Sequence, residues 1–153
     1  PRPHGGGAGG GMEVPMKPGL TKKQRAKLGS YMREIADRLN LRDWTINLLH
    51  EPIHSSEHAT AQCESVYGRR WADISFCGHF AQLKPELQRE VIVHELLHCH
   101  IPARRDGSWH GLQQLLGMPA YTVFSDAMNQ ELEHVVDAIA NAIAPMLPLP
   151  PKL

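Results

Sequence analysis

The chain has 153 residues, room for one domain around one core. Sixteen basic residues balance sixteen acidic ones, and apolar residues make up 42%. This composition is that of a globular chain, gives no overall pull toward nucleic acid or an anionic membrane, and contains no apolar run near the ~20 residues that span a bilayer.

Residues 1–19 hold seven of the thirteen glycines and four of the twelve prolines, which predicts a flexible segment. The glycine run ahead of Met12 reads as a linker. Thr21, followed three residues later by Gln24, predicts a capping box. Leu28, Tyr31, Met32, Ile35 and Leu39 then keep helical period, so the first element is a helix over about 21–40. Its basic start (Lys22, Lys23, Arg25, Lys27) reads as a solvated face.

Three strand-like runs follow. Trp44, Ile46 and Leu48 alternate with polar residues, a second run covers about 59–67, and a third runs from Trp71 to Phe76 after a turn at Gly68-Arg69. Pro85-Glu86 marks a helix start, with Leu87, Val91, His94 and His98 on one face. Pro102, Gly107, Gly111, Gly117 and Pro119 predict a long connection over 101–120 with one short helix at most. A last helix is expected from about 126 to 144, its apolar stripe made of Met128, Leu132, Val135, Val136, Ile139 and Ile143. Four prolines after Ala144 predict a non-helical tail over 145–153. The order of elements gives an α+β domain over 20–144, a small three-stranded sheet with helices on one face.

Chemistry concentrates at His94-Glu95-Leu96-Leu97-His98. Histidines four apart on a helix share a face and can present two imidazole nitrogens to one ion. Glu95, about 100° further round, can reach a water on that ion without becoming a ligand. Two ligands and a general base on one turn are the content of the His-Glu-x-x-His pattern. Val91-Ile92-Val93 and Leu96-Leu97 make the helix apolar nearly all round, so its polar residues should be buried, and buried polar groups need partners. Two histidines and a carboxylate suit zinc best among common ions.

A third ligand must come from further along: Asp106, His110, Glu131, Glu133, His134 or Asp137. With the stripe through Leu132, Val136, Ile139 and Ile143 taken as the buried face, His134 points away. Glu131 and Glu133 lie on opposite flanks, each about 100° from its centre, so helical phase leaves them tied. Cys63 or Cys77 would be an upstream alternative, as in peptide deformylases, but the residues flanking them do not match that family's glycine-cysteine-leucine step. All three cysteines (Cys63, Cys77, Cys99) read as reduced thiols of a cytoplasmic protein, with Cys99 packed beside the motif helix. His100 reads as a surface residue, and Tyr121 as a core or surface tyrosine with an oxyanion role as its functional alternative.

The Trp44-Thr45-Ile46 strand, the strand from Arg70 to Phe76, the motif, and a late helix reading Glu133-x-x-Val136-x-x-Ile139-Ala140-x-x-Ile143-Ala144-Pro145 together resemble the small zincin-like metallopeptidases of phage and bacterial genomes, including minimal domains related to the ImmA/IrrE peptidases. That resemblance implies Zn2+ held by His94, His98 and Glu133, with Glu95 as catalytic base and a peptide or protein as substrate. A second resemblance, to SprT-like metalloproteases, rests on His110-Gly111-Leu112 and Leu116-Gly117-Met118-Pro119-Ala120 and implies His110 as third ligand. Glu133 is the preferred reading. The alternatives to a metallopeptidase are a zincin-fold accessory or regulatory module with little turnover, or a DNA-associated protease, which the balanced charge disfavours.

Overall fold

Thr21 stops the first helix from fraying. Its hydroxyl accepts from the Gln24 backbone N–H while the Gln24 side chain takes the Thr21 N–H at 2.8 Å, so two orphan donors are satisfied at once. The computed structural model describes residues 19–50, 60–101 and 107–153, without the side chains of Tyr67 and residues 107–110; the segment expected to be flexible, Gly19 apart, lies outside it. Helix α1 (Lys22–Arg38) buries Leu28, Tyr31, Met32 and Ile35. These are the apolar positions whose helical spacing predicted it.

Strands β1 (Thr45–Leu48), β2 (Ala61–Val66) and β3 (Trp71–Phe76) form a mixed sheet in the order β1-β3-β2. β3 pairs in parallel with β1 and antiparallel with β2. A 3-10 turn at Tyr67–Arg69 and a left-handed Arg70 (φ 48°) join β2 to β3. Register sets the two faces: Cys63 opposes Ile74, Ser65 opposes Ala72, and Ala61 opposes Phe76. Those side chains, with Ile46 and Leu48, look into the core, and Thr45, Asn47, Gln62 and Glu64 look outward.

Helix α2 (Pro85–Leu97) packs on β2 and against α1 on that inner face. Ile92, Val93 and Leu96 are fully buried with Ile74, Phe80, Leu28 and Ile35. Pro85 sits in the first turn, where its missing N–H costs nothing. The expected α+β architecture, helices over one face of a three-stranded sheet, is the one observed.

The C-terminal third departs from expectation. Helix α3 (Gly107–Leu116) is the short helix expected in the connection, but α4 (Met118–Ile143) begins eight residues before position 126. Two residues that read as breakers act as a junction. Gly117, at φ +70°, supplies a left-handed turn that a side chain would strain, and Pro119 lies in the first turn of α4.

The buried face of α4 is also rotated from the expected stripe. Val136 and Ala140 are buried and Leu132 and Ile143 half-buried, but Val135 is 50% and Ile139 41% exposed. Small residues take the contact instead, with Ser125, Ala140 and Ala144 buried.

Beyond a 3-10 turn at Ala144–Met146 the chain is non-helical, as four prolines require. It is held to the body by three donors: Arg89 Nη1 to Leu147 O (2.8 Å), Tyr31 OH to Pro148 O (2.7 Å) and Lys27 Nζ to Lys152 O (2.6 Å). Burial pushes the Tyr31 hydroxyl up to about 12, with Arg89 opposing, so it remains a donor across the physiological range. No helix among the described residues is long and apolar enough to cross a membrane.

The rotated face predicts unequal costs for two adjacent valines. Val136→Ala should destabilise by about 2 kcal/mol, from lost burial plus a small cavity, and Val135→Ala by no more than about 0.5 kcal/mol. Urea unfolding midpoints of the two variants measure the difference; equal losses would restore the stripe expected from periodicity.

Candidate metal centre

The turn carrying His94, Glu95 and His98 lies at the C-terminal end of α2, with β2 on one side and α4 on the other. Ser65 of β2 donates its hydroxyl to the His98 carbonyl at 3.3 Å, which ties the end of the helix to the sheet. His94 and His98 are partly buried, and their Nε2 atoms are 3.1 Å apart.

Glu133 reaches this pair from α4. Its Oε2 lies 3.2 Å from His94 Nε2 and 3.6 Å from His98 Nε2. His94, His98 and Glu133 are the group of potential ligands among the described residues, one atom from each falling within a common 4.8 Å. The spacing can be tested against zinc. Tetrahedral bonds of 2.0–2.1 Å place neighbouring ligand atoms about 3.3 Å apart. The three observed separations bracket that value, so the donor set fits a zinc ion with its fourth position open.

The rotation of α4 explains why Glu133 and not Glu131 is present. With the buried face centred on Asn129, Val136 and Ala140, Glu133 lies about 40° from its centre and Glu131 about 160°. Glu131 and His134 are exposed. His110 lies in α3 with its side chain outside the described residues, and Asp106 lies outside them altogether.

Asp137, weighed from sequence only as a ligand, has another place. Its Oδ1 accepts from His94 Nδ1 at 2.8 Å. That bond puts the proton on Nδ1 and leaves the Nε2 lone pair facing Glu133 and His98. The signal was present in the sequence: Glu133 and Asp137 are four apart on α4 as His94 and His98 are on α2, so both pairs face one another.

Glu95 is buried, 6% exposed. Desolvation, reinforced by the Glu133 charge and opposed by the Cys63 backbone N–H bonded to it, pushes its carboxyl up to about 8 in the metal-free protein. His98 is shifted the other way: burial and the neighbouring His94 lower it, against the pull of Glu133 and Asp137, and favour the neutral imidazole that binds metal.

The cysteines stand apart from the ligand group. The Cys63 and Cys99 side chains are hydrogen-bonded to one another, and that hydrogen bond together with burial pushes the Cys63 thiol up. Cys77 contacts His79, Sγ to Nδ1 at 3.1 Å, in the turn after β3. All three are reduced. His100 turns away, its Nε2 2.8 Å from Leu39 O, and Tyr121 does not line the cleft. That cleft is a cavity of about 350 Å³ in front of the motif, lined by Ala61, Glu90, His94, Glu95, Asp137 and Ala140 among others.

No family model, curated protein or solved structure matches this chain.

The buried Glu95 predicts a pH dependence of the metal-free protein. Its folded pKa, about 8, exceeds the ordinary 4.5, so the stability it contributes is complete below about 4.5 and is lost as pH rises through 8. With a chelator present, Glu95→Gln should melt with wild type near pH 5 and well above it at pH 8.5. Parallel melting curves across that window would contradict the burial assigned to this carboxylate.

Proposed function

We propose that the protein is a zinc-dependent hydrolase and that the bond it cuts is a peptide bond. The observation that carries the reading is the spacing of His94 Nε2, His98 Nε2 and Glu133 Oε2, which fits three vertices of a zinc tetrahedron beside a buried, non-ligating carboxylate. The likeness of the motif and last helix to zincin-like metallopeptidases points the same way.

His94, His98 and Glu133 would hold the ion. When bound, zinc supplies a Lewis acid that makes water a nucleophile near neutral pH and polarises a carbonyl. Glu95 takes the proton of the attacking water at its carboxylate and returns it to the departing amine. Its raised proton affinity suits that exchange, and the Cys63 N–H holds the carboxylate in place through both steps. Asp137 keeps His94 in the tautomer that binds.

A peptide is the substrate favoured because of β2. Among the described residues it pairs with β3 on one side only and is an edge of the sheet, and Ala61 at its start borders the cavity with His94 and Glu95. An extended chain can pair with such an edge and bring a backbone carbonyl to the site.

Purified protein should hold one zinc per chain and cleave a denatured protein or peptide library. Glu95→Gln should keep the zinc and lose at least ~100-fold in rate, the scale of general-base catalysis. Glu133→Ala should lose the zinc and His110→Ala keep it. A Glu95→Gln protein of undiminished activity would overturn the mechanism, and zinc loss in His110→Ala alone would move the third ligand to α3.

A further inference from the structure

The cavity in front of the motif carries more than the ligand set. Glu90 lies one turn before His94 on the same face of α2, and Asp137 one turn beyond Glu133 on α4. Both line the cavity with Glu95, and among the described residues no lysine or arginine does. The lack of a counter-charge extends well beyond the lining: residues 107–151, the whole of α3 and α4, contain neither lysine nor arginine. The cation nearest along α2, Arg89, is turned to the other side of the helix, where its Nη1 donates to Leu147 O at 2.8 Å. Even with a divalent ion held by the site, Glu90, Glu133 and Asp137 leave an excess of negative charge.

The cavity also has an apolar wall, from Val91, Ala61 and Ala140. Methylenes against such a wall with a charged end among carboxylates are the natural seating of a long basic side chain. At about 350 Å³ the space takes one such side chain together with adjoining backbone. An acidic side chain would meet like charges, and a purely apolar one would bury Glu90 without a partner.

We infer that this cavity selects substrates with a lysine- or arginine-like side chain flanking the bond to be cut, and that Glu90 sets the preference. The inference rests on the peptide-hydrolase reading of the site. Glu90 is not near the ligand atoms in the way Asp137 is, having no bond to either histidine among those described, so its substitution separates selection from metal binding.

The test uses zinc-loaded full-length protein and a peptide set in which each lysine peptide has a twin with Nε-acetyl-lysine at the same place, cut positions being read by mass spectrometry. The lysine peptides should be cut with kcat/KM about tenfold above their twins, with lysine next to the cut, and Glu90→Gln should reduce that ratio to near one at unchanged zinc content. Equal cutting of the twins by wild type, or a preference that survives Glu90→Gln, would overturn the inference and leave the peptidase reading standing. If no peptide is cut, the peptidase reading fails, and binding of the twins to the zinc-loaded protein by calorimetry still decides the selectivity. Tighter binding of the lysine twin, weakened in Glu90→Gln, upholds it, and equal or absent binding refutes it.

Discussion

Two imidazoles and a carboxylate have been carried into the apolar interface between a sheet edge and a helix, and such groups cannot stay there without partners. Ile92, Val93, Leu96 and Leu97 bury the motif helix against the core, which fixes Glu95 in a buried place and His94 and His98 in partly buried ones. The cost of that placement is visible in the two shifts it produces, Glu95 pushed up and His98 pulled down. Each remaining feature of the site answers that cost: the Cys63 N–H on Glu95, the Ser65 hydroxyl on the last turn, Asp137 on His94, and Glu133 closing the group from α4.

The contact of α4 with α2 is therefore the second element on which the account depends. A helix that buried its largest apolar residues would turn Val135 and Ile139 inward and move Glu133 away. Small residues at the contact allow close approach, and the rotation that follows brings Glu133 and Asp137 together over the histidines. The C-terminal strap supports this from behind, because Arg89, which fastens Leu147, stands on the same helix five residues before His94.

Much of this was legible in the sequence, for reasons that can be named. α1 carries a cap and an unbroken period, the strands alternate, and the motif has fixed spacing, so local signals suffice. The α3–α4 junction was not legible, because Gly117 and Pro119 mean a break or a start according to whether a helix follows, and only packing decides. The buried face of α4 failed for a related reason. Its apolar residues cover more than half the circumference, and periodicity alone cannot say which of them find a neighbour. Glu133 came from resemblance where phase left it tied with Glu131; the rotated face supplies the physical ground. Asp137 and Glu90 were missed as a positioning and a cavity-lining residue, since both act through neighbours on other elements.

The proposed centre is defined by the atoms that would surround the metal. Zinc K-edge absorption of the stoichiometrically loaded protein reads that shell directly. The expected spectrum shows only nitrogen and oxygen neighbours at about 2.0–2.1 Å, with the outer-shell scattering of two imidazoles. A sulfur neighbour at about 2.3 Å, or a protein that takes up no stoichiometric zinc, would contradict it.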